Sequence, residues 1–283
     1  MKQNVTGERI IQLCRKIFPN CHVDKKVLYN IRVGGIKLPY MLHAVDKTST
    51  QLLAQKFPDH VHILCLEDKN IQIAIITPNM KTFRASTGIF CVDSTHNTTY
   101  YGFYLSTILT VDDQNRGRPI AHFISSNEQA KSLKVFFEFF KKNYPVNDHP
   151  VLITDDYPAY WNTWKELFPT SSHILCRWHI RKNWKKHCQS SYKNVWLLEK
   201  LMKSKSENEY INNLEVIRQE FSQKSFEYLE KNYLNRTEKW VLYQLPYKNA
   251  YNLHIESFHK ILKKKQIQLQ KKQENRLSDL YST

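Results

Sequence analysis

Short apolar bursts mark the middle of the chain, and apolar residues settle into helical spacing after it. Ile89–Asp93 predicts a strand, Phe103–Val111, rich in β-branched and aromatic residues, predicts a second, and Pro119–Ser125 a third. The segment Asp112–Arg118 (DDQNRGR) is a turn, so the strands it joins should pair antiparallel. Asn127 and Glu128 open a helix that runs to Tyr144 and is stopped by Pro145. Val151–Asp155 (VLITD) predicts a fourth strand, followed by a helix to about Phe168; Ser172–Cys176 (SHILC) predicts a fifth, running into a basic helix from Arg177. Ile71–Ile76 adds a further strand within an otherwise mixed stretch over residues 1–85.

No glycine follows Gly117, and Val195, Leu198, Leu201 and Met202 recur at helical spacing, as do Tyr210, Leu214, Ile217 and Phe221. The expectation is a mostly helical second part, with residues 189–250 mainly helical. Three antiparallel strands followed by strands alternating with helices is the order of the ribonuclease-H-like fold. The predicted class is therefore α/β, a mixed-sheet ribonuclease-H-like core with a large all-helical insertion. Its expected parts are an N-terminal mixed region (1–85), the first part of the core (86–188), the insertion (189–250), and a last core helix with a basic tail (251–283).

The stretch CVDSTHNTT at 91–99 places a carboxylate, Asp93, at the end of an apolar strand. A buried carboxylate is costly unless paired or holding a cation. Alone, Asp93 and Asp155 each read as a turn former or helix cap. Taken together, at the ends of strands that neighbour one another in such a sheet, they read as a site, because convergent carboxylates are what hard divalent ions need. Asp156, just before Tyr157-Pro158, suits a helix cap; Asp112 and Asp113 read as solvated turn residues. Among later acids, Glu215, Glu220, Glu227 and Glu230 lie in helices rich in exposed charge. Glu256 differs: in YNLHIESFHKILKKK it sits among aromatics, with Ile255, Phe258, Ile261 and Leu262 available to dock its helix.

Charge narrows the partner. The 283 residues carry 42 Lys and Arg against 26 Asp and Glu, a formal net charge of +16, which favours a polyanion, nucleic acid before an acidic membrane surface. No stretch approaches the roughly 20 apolar residues of a spanning helix, the start lacks a signal-peptide core, and six scattered Cys make no disulfide framework. The expectation is a soluble intracellular protein with reduced thiols. The helix RWHIRKNWKKH interleaves Trp178 and Trp184 with Arg177, Arg181, Lys182, Lys185 and Lys186. Its expected arrangement is Trp inward and cations toward DNA. Lys260, Lys263, Lys264 and Lys265 begin a second basic run, which also reads as a nuclear-import signal.

The runs DSTHNTTYYGFYLSTILTVDDQNRGRPIAHFI, VLITDDYPAYWNTWKELFP and HILCRWHIRKNW, with the later NLHIESFHKILKK, resemble the transposase domain of Mutator-like elements (MULE), of the DDE superfamily. The resemblance covers about residues 60–265. It implies Asp93, Asp155 and Glu256 as catalytic, metal-binding residues holding two Mg²⁺ (or Mn²⁺) ions. It also implies a helical insertion between the last two, and a Cys-x-x-His element matched by Cys176 and His179. Zinc is set aside: one C-x-x-H lacks the four ligands of a structural site, and His187 and Cys188 are poorly arranged to complete one. The implied function is cleavage and strand transfer of DNA at transposon ends, in the nucleus, by a protein that assembles as a homo-oligomer there. Members usually carry zinc-binding modules beside the core, whereas Cys14, Cys21 and His22 are too few for one. A fragment, a decayed copy or a domesticated DNA-binding derivative is therefore the alternative expectation. A DEDD-type exonuclease would want an acid where Thr95 stands.

Overall fold

The computed structural model describes residues 42–43, 45–67, 69–83, 85, 87–96, 102–114, 116–188, 191–246, 255 and 257–261. The chain divides into two compact units, Met1–Pro58 and Asp59–Thr283. In the first, helix α1 (Asp46–Lys56) has an acid in its first turn and a base in its last, the arrangement that suits the helix dipole.

The second unit is built on a seven-stranded sheet. Its strands are β1 (Val61–Glu67), β2 (Asn70–Ile75), β3 (Ile89–Thr95), β4 (Tyr104–Val111), β5 (Gly117–Ser125), β6 (Val151–Thr154) and β7 (Ser172–Leu175), in the spatial order β1-β2-β5-β4-β3-β6-β7. The pairings from β1 across to β3 are antiparallel, and those of β6 with β3 and β7 are parallel. The sheet is thus mixed, and larger than three antiparallel strands followed by parallel ones: β2 adds to β5 and β1 to β2. β1 escaped the sequence pattern because none of its residues is fully buried, so VHILCLE shows no two-residue alternation of apolar and polar positions. Before β3, Gly88 takes φ +67°, a left-handed conformation open to glycine, and its carbonyl accepts the N–H of Val151 at 2.9 Å. That bond sets the start of the parallel pairing.

Helices α2 (Pro78–Thr82), α3 (Ala130–Asn143), α4 (Pro158–Leu167), α5 (Arg177–His187), α6 (Tyr192–Met202), α7 (Glu207–Glu220) and α8 (Gln223–Asn232), with a 3-10 helix at Leu234–Lys239, complete the described elements. α3 starts three residues later than the sequence expectation. Asn127 Oδ1 accepts from Gln129 N–H (3.1 Å) and Ser132 Oγ (2.8 Å), a local turn that keeps 127–129 out of the helix. One face of the sheet is covered by α3 and α4. Leu133, Phe136, Phe137 and Phe140, spaced along one stripe of α3, pack with Trp164 on Phe90, Val92, Ile108 and Phe123.

The other face carries Ile89, Cys91, Leu109, Val111, Ile153 and Ile174, packed against Cys176, Leu245 and Ile255. A third cluster joins Ile180 and Trp184 of α5 to Leu197, Leu198, Leu201, Met202, Ile217, Tyr233 and Trp240. Between residues 191 and 246 the described elements are α6, α7, α8 and the 3-10 turn. Ser191, Ser206 and Ser222 each accept a backbone N–H from the first turn of their helix, which fixes where each one starts.

Candidate metal site

Side chains along a strand alternate between faces, so Asp93 follows Ile89 and Cys91 onto the side away from α3 and α4. The parallel register pairs Cys91 with Ile153. Two residues further along both strands stand Asp93 and Asp155. Asp93 is 8% exposed and Asp155 half-buried, the latter one residue past the end of β6. β7 leads through Cys176 directly into α5, whose first turn presents His179. One ligand atom from each of Asp93, Asp155 and His179 falls within 4.8 Å of the other two.

The charges in this corner oppose one another. Burial pushes the Asp155 carboxyl up to about 6; the Tyr157 N–H, which donates to Oδ1 at 3.0 Å, pulls it down, and Asp93, Glu128 and Asp156 push it up again. Burial lowers the His179 imidazole, Asp93 counters it, and Lys182 lowers it further, so the ring favours its neutral, ligating form. Two carboxylates held together at this cost, with a neutral imidazole beside them, are a donor set that fits a divalent cation.

Residues 89–183 match the family described as the MULE transposase domain. The likeness to that family covers 95 of the 283 residues. No curated protein matches the chain. The matched span opens at the first residue of β3 and closes within α5, so it contains Asp93, Asp155 and His179.

Within and beyond the matched span, several sequence expectations change. Glu256 lies outside the described residues, as do Lys263, Lys264, Lys265 and Leu262. Its neighbours do reach the site: His259, 5% exposed, has Nδ1 3.2 Å from Asp93 Oδ2, and Phe258 stacks on His122 with ring centres 5.5 Å apart. Ile261, expected to dock that segment, is 54% exposed, and Lys260 is exposed too. Ile255, also expected to dock it, is fully buried and does so, with Phe258 packed against the same cluster. Asp156 is no helix cap. Its carboxylate binds the two terminal guanidinium nitrogens of Arg236, Nη1 at 2.7 Å, while Asp155 takes the turn bond to Tyr157. Asp112 is not simply solvated either. Desolvation would raise its carboxyl, but the backbone N–H and guanidinium of Arg116 and the guanidinium of Arg118 bring it down to about 2 and brace the hairpin.

The Cys-x-x-His element divides its work. Cys176 is fully buried beside Cys91, while His179 turns to the carboxylates. Among the described residues neither His187, stacked on Tyr228, nor Cys188, whose thiol lies 3.9 Å from the Ser225 carbonyl, joins a metal-capable group.

On α5 the helical period decides which side chains face out. Arg177, Ile180 and Trp184 share the inner stripe, so Arg177 is 2% exposed and is no surface cation. Trp178 falls on the outer side, 40% exposed, with Lys182 Nζ 5.2 Å from its ring centre, contrary to the expectation that both Trp residues turn inward. Arg181 is half-buried and pairs with Glu199 at 3.1 Å. Lys182, Lys185 and Lys186 are exposed.

Sequence reasoning missed Glu128, Tyr160, Thr107, His122 and His259. Burial first, then Glu128, keeps the Tyr160 phenol protonated; it donates to the Glu128 carboxylate and lies 2.6 Å from Ser94 Oγ, beside Asp93. Only the aromatic setting of SFHK hinted at any of these.

Proposed function

We propose that the protein is the core of a DDE-type transposase that cleaves DNA and transfers strands at transposon ends. The observation that carries this reading is the convergence of Asp93, Asp155 and His179 within the span that matches the MULE transposase domain. A ribonuclease-H-like core is the fold reading that goes with it, supported by the run β3-β4-β5, the parallel addition of β6 to β3, and the carboxylates at adjoining strand ends.

In this function Asp93 and Asp155 hold the cations, Mg²⁺ or Mn²⁺, with Glu256 as third acid and His179 as an added nitrogen ligand. The imidazole favours Mn²⁺ over Mg²⁺. Such ions supply activation of a water or 3′-hydroxyl and charge neutralisation at the leaving oxygen. The chain's own groups do the rest. Lys182, Lys185, Lys186 and Lys260 neutralise backbone phosphates, the exposed face of Trp178 offers a stacking surface, and the buried sheet face limits water around Asp93. The helices after residue 189 serve as an insertion between the second and third acids, the active form is a homo-oligomer on DNA, and the location is the nucleus.

The test is purified protein incubated with Mn²⁺ or Mg²⁺ and either element-end DNA or unrelated plasmid, with Asp93→Asn as control. Metal-dependent nicking and joining that the variant lacks supports the proposal. Tight DNA binding without cleavage by the unaltered chain would instead support a domesticated DNA-binding protein.

A further inference from the structure

We propose that His259 is a positioning residue for Asp93: its Nδ1–H donates to Asp93 Oδ2 and fixes the ionised carboxylate, leaving the second oxygen for a cation. This rests on the reading of Asp93 as a metal ligand. The assignment comes from a line of side chains crossing the sheet. Asp93, Thr107 and His122 are opposite one another in register on β3, β4 and β5, so all three project from one face. His259 lies over that row. Its Nδ1 is 3.2 Å from Asp93 Oδ2 and its Nε2 is 3.4 Å from Thr107 Oγ1; Thr107 Oγ1 is in turn 3.1 Å from His122 Nδ1.

A carboxylate can only accept, so an ionised Asp93 requires the proton on His259 Nδ1. Thr107 has one proton to give. If His122 donates from Nδ1, Thr107 donates onward to His259 Nε2, and the row runs in one direction from His122 to Asp93. Burial brings the His122 imidazole down to about 4, with His259 adding to the effect, which keeps that ring neutral. If instead Thr107 donates to His122, His259 must carry both ring protons and pair with Asp93 as an ion. Either way Nδ1–H faces the carboxylate.

The arrangement also explains why the segment after residue 254 is seated where it is. Ile255 is fully buried against Ile89, Cys91 and Ile153, and Phe258 stacks on His122 at an interplanar angle of 13°. The packing that docks this segment therefore also orients the first carboxylate. An outer partner of this kind typically changes metal affinity by 10- to 100-fold when removed.

Histidine ¹⁵N–¹H spectra of the metal-free full chain, with His259→Gln used for assignment, should show a proton on Nδ1 of His259. Mn²⁺ binding, followed by electron paramagnetic resonance, should weaken about 10-fold or more in His259→Leu, and recover in part in His259→Gln, whose amide can still donate. Thr107→Val, close in shape, should weaken it less while changing the His259 signals. Thermal melts of each variant separate these effects from unfolding. A His259 ring protonated only at Nε2, or a folded His259→Leu that binds Mn²⁺ like the unaltered chain, would overturn the proposal. If the unaltered chain binds no Mn²⁺, the metal-site reading fails by itself, and the ring proton still decides the hydrogen bond.

Discussion

His259 Nδ1 lies 3.2 Å from Asp93 Oδ2, although 166 positions separate the two in the chain. The carboxylate at the end of the first matched strand is thus held from a segment beyond the matched domain.

Asp93→Asn and Asp155→Asn should each lower metal-dependent strand cleavage by roughly three orders of magnitude or more, because a neutral amide neither anchors nor balances a divalent ion. DNA binding measured in EDTA should change less than about twofold, since these carboxylates make no attraction to phosphate. Cleavage retained by both variants would move the chemistry elsewhere.

Stability without metal should fall with rising pH on account of Asp155. Its carboxyl is raised from the ordinary 3.8 to about 6, burial being the largest cause. The folded state therefore holds this proton more tightly than the unfolded state. The contribution is fully present below about pH 4 and is lost as pH rises through about 6, amounting to at most about 3 kcal/mol. Urea unfolding in EDTA at pH 4, 5, 6 and 7 measures it, and the difference between the unaltered chain and Asp155→Asn isolates it. Mn²⁺ should stabilise the unaltered chain more at pH 7 than at pH 5. A variant whose stability tracks the unaltered chain across the range would contradict the shift.

Neutralising Lys182, Lys185 and Lys186 together should weaken DNA binding and lower the slope of log affinity against log salt by about 3, at ~0.9 for each phosphate no longer neutralised. All three are exposed, so the melting temperature should hardly move. An unchanged slope would mean that the DNA path avoids this helix.

The two tryptophans of α5 should behave oppositely. Trp184→Ala should cost about 3–5 kcal/mol, because the ring is buried edge-on against Tyr233 and Trp240 at 5.6 and 5.5 Å. Trp178→Ala should cost under about 1 kcal/mol and appear instead as weaker binding to single-stranded DNA. Denaturant titration and fluorescence anisotropy separate the two.

The strands that carry Asp93 and Asp155 were legible because their apolar runs are short and bounded by turns, and a two-residue period tells which side chains share a face. The join between β3 and β6 followed from strand order. What stayed hidden depends on distant parts of the chain meeting. Nothing local to His259 announces that it meets Asp93, and nothing local to Glu128 announces Tyr160. Arg177 reads as one more cation in a basic helix, and only the packing of its stripe shows it turned inward. Asp155, ending its strand, was separable in sequence from Asp156, but the partner of Asp156 was not: Arg236 is brought to it by the distant 3-10 turn.

α5 belongs to two neighbourhoods at once. Its first turn holds His179 beside the carboxylates, and five residues on Trp184 is locked into the helical cluster. At eleven residues it is about 16 Å long, a single stiff rod. A shift of the helical cluster, from whatever grips it, must therefore tilt the rod and change the angle at which the imidazole meets the two acids. The helices would then act as a throttle on the chemistry. Trimming Trp184 to Phe, a residue that is not itself a ligand, should alter Mn²⁺ affinity; an unchanged affinity would show the rod to be uncoupled from the site.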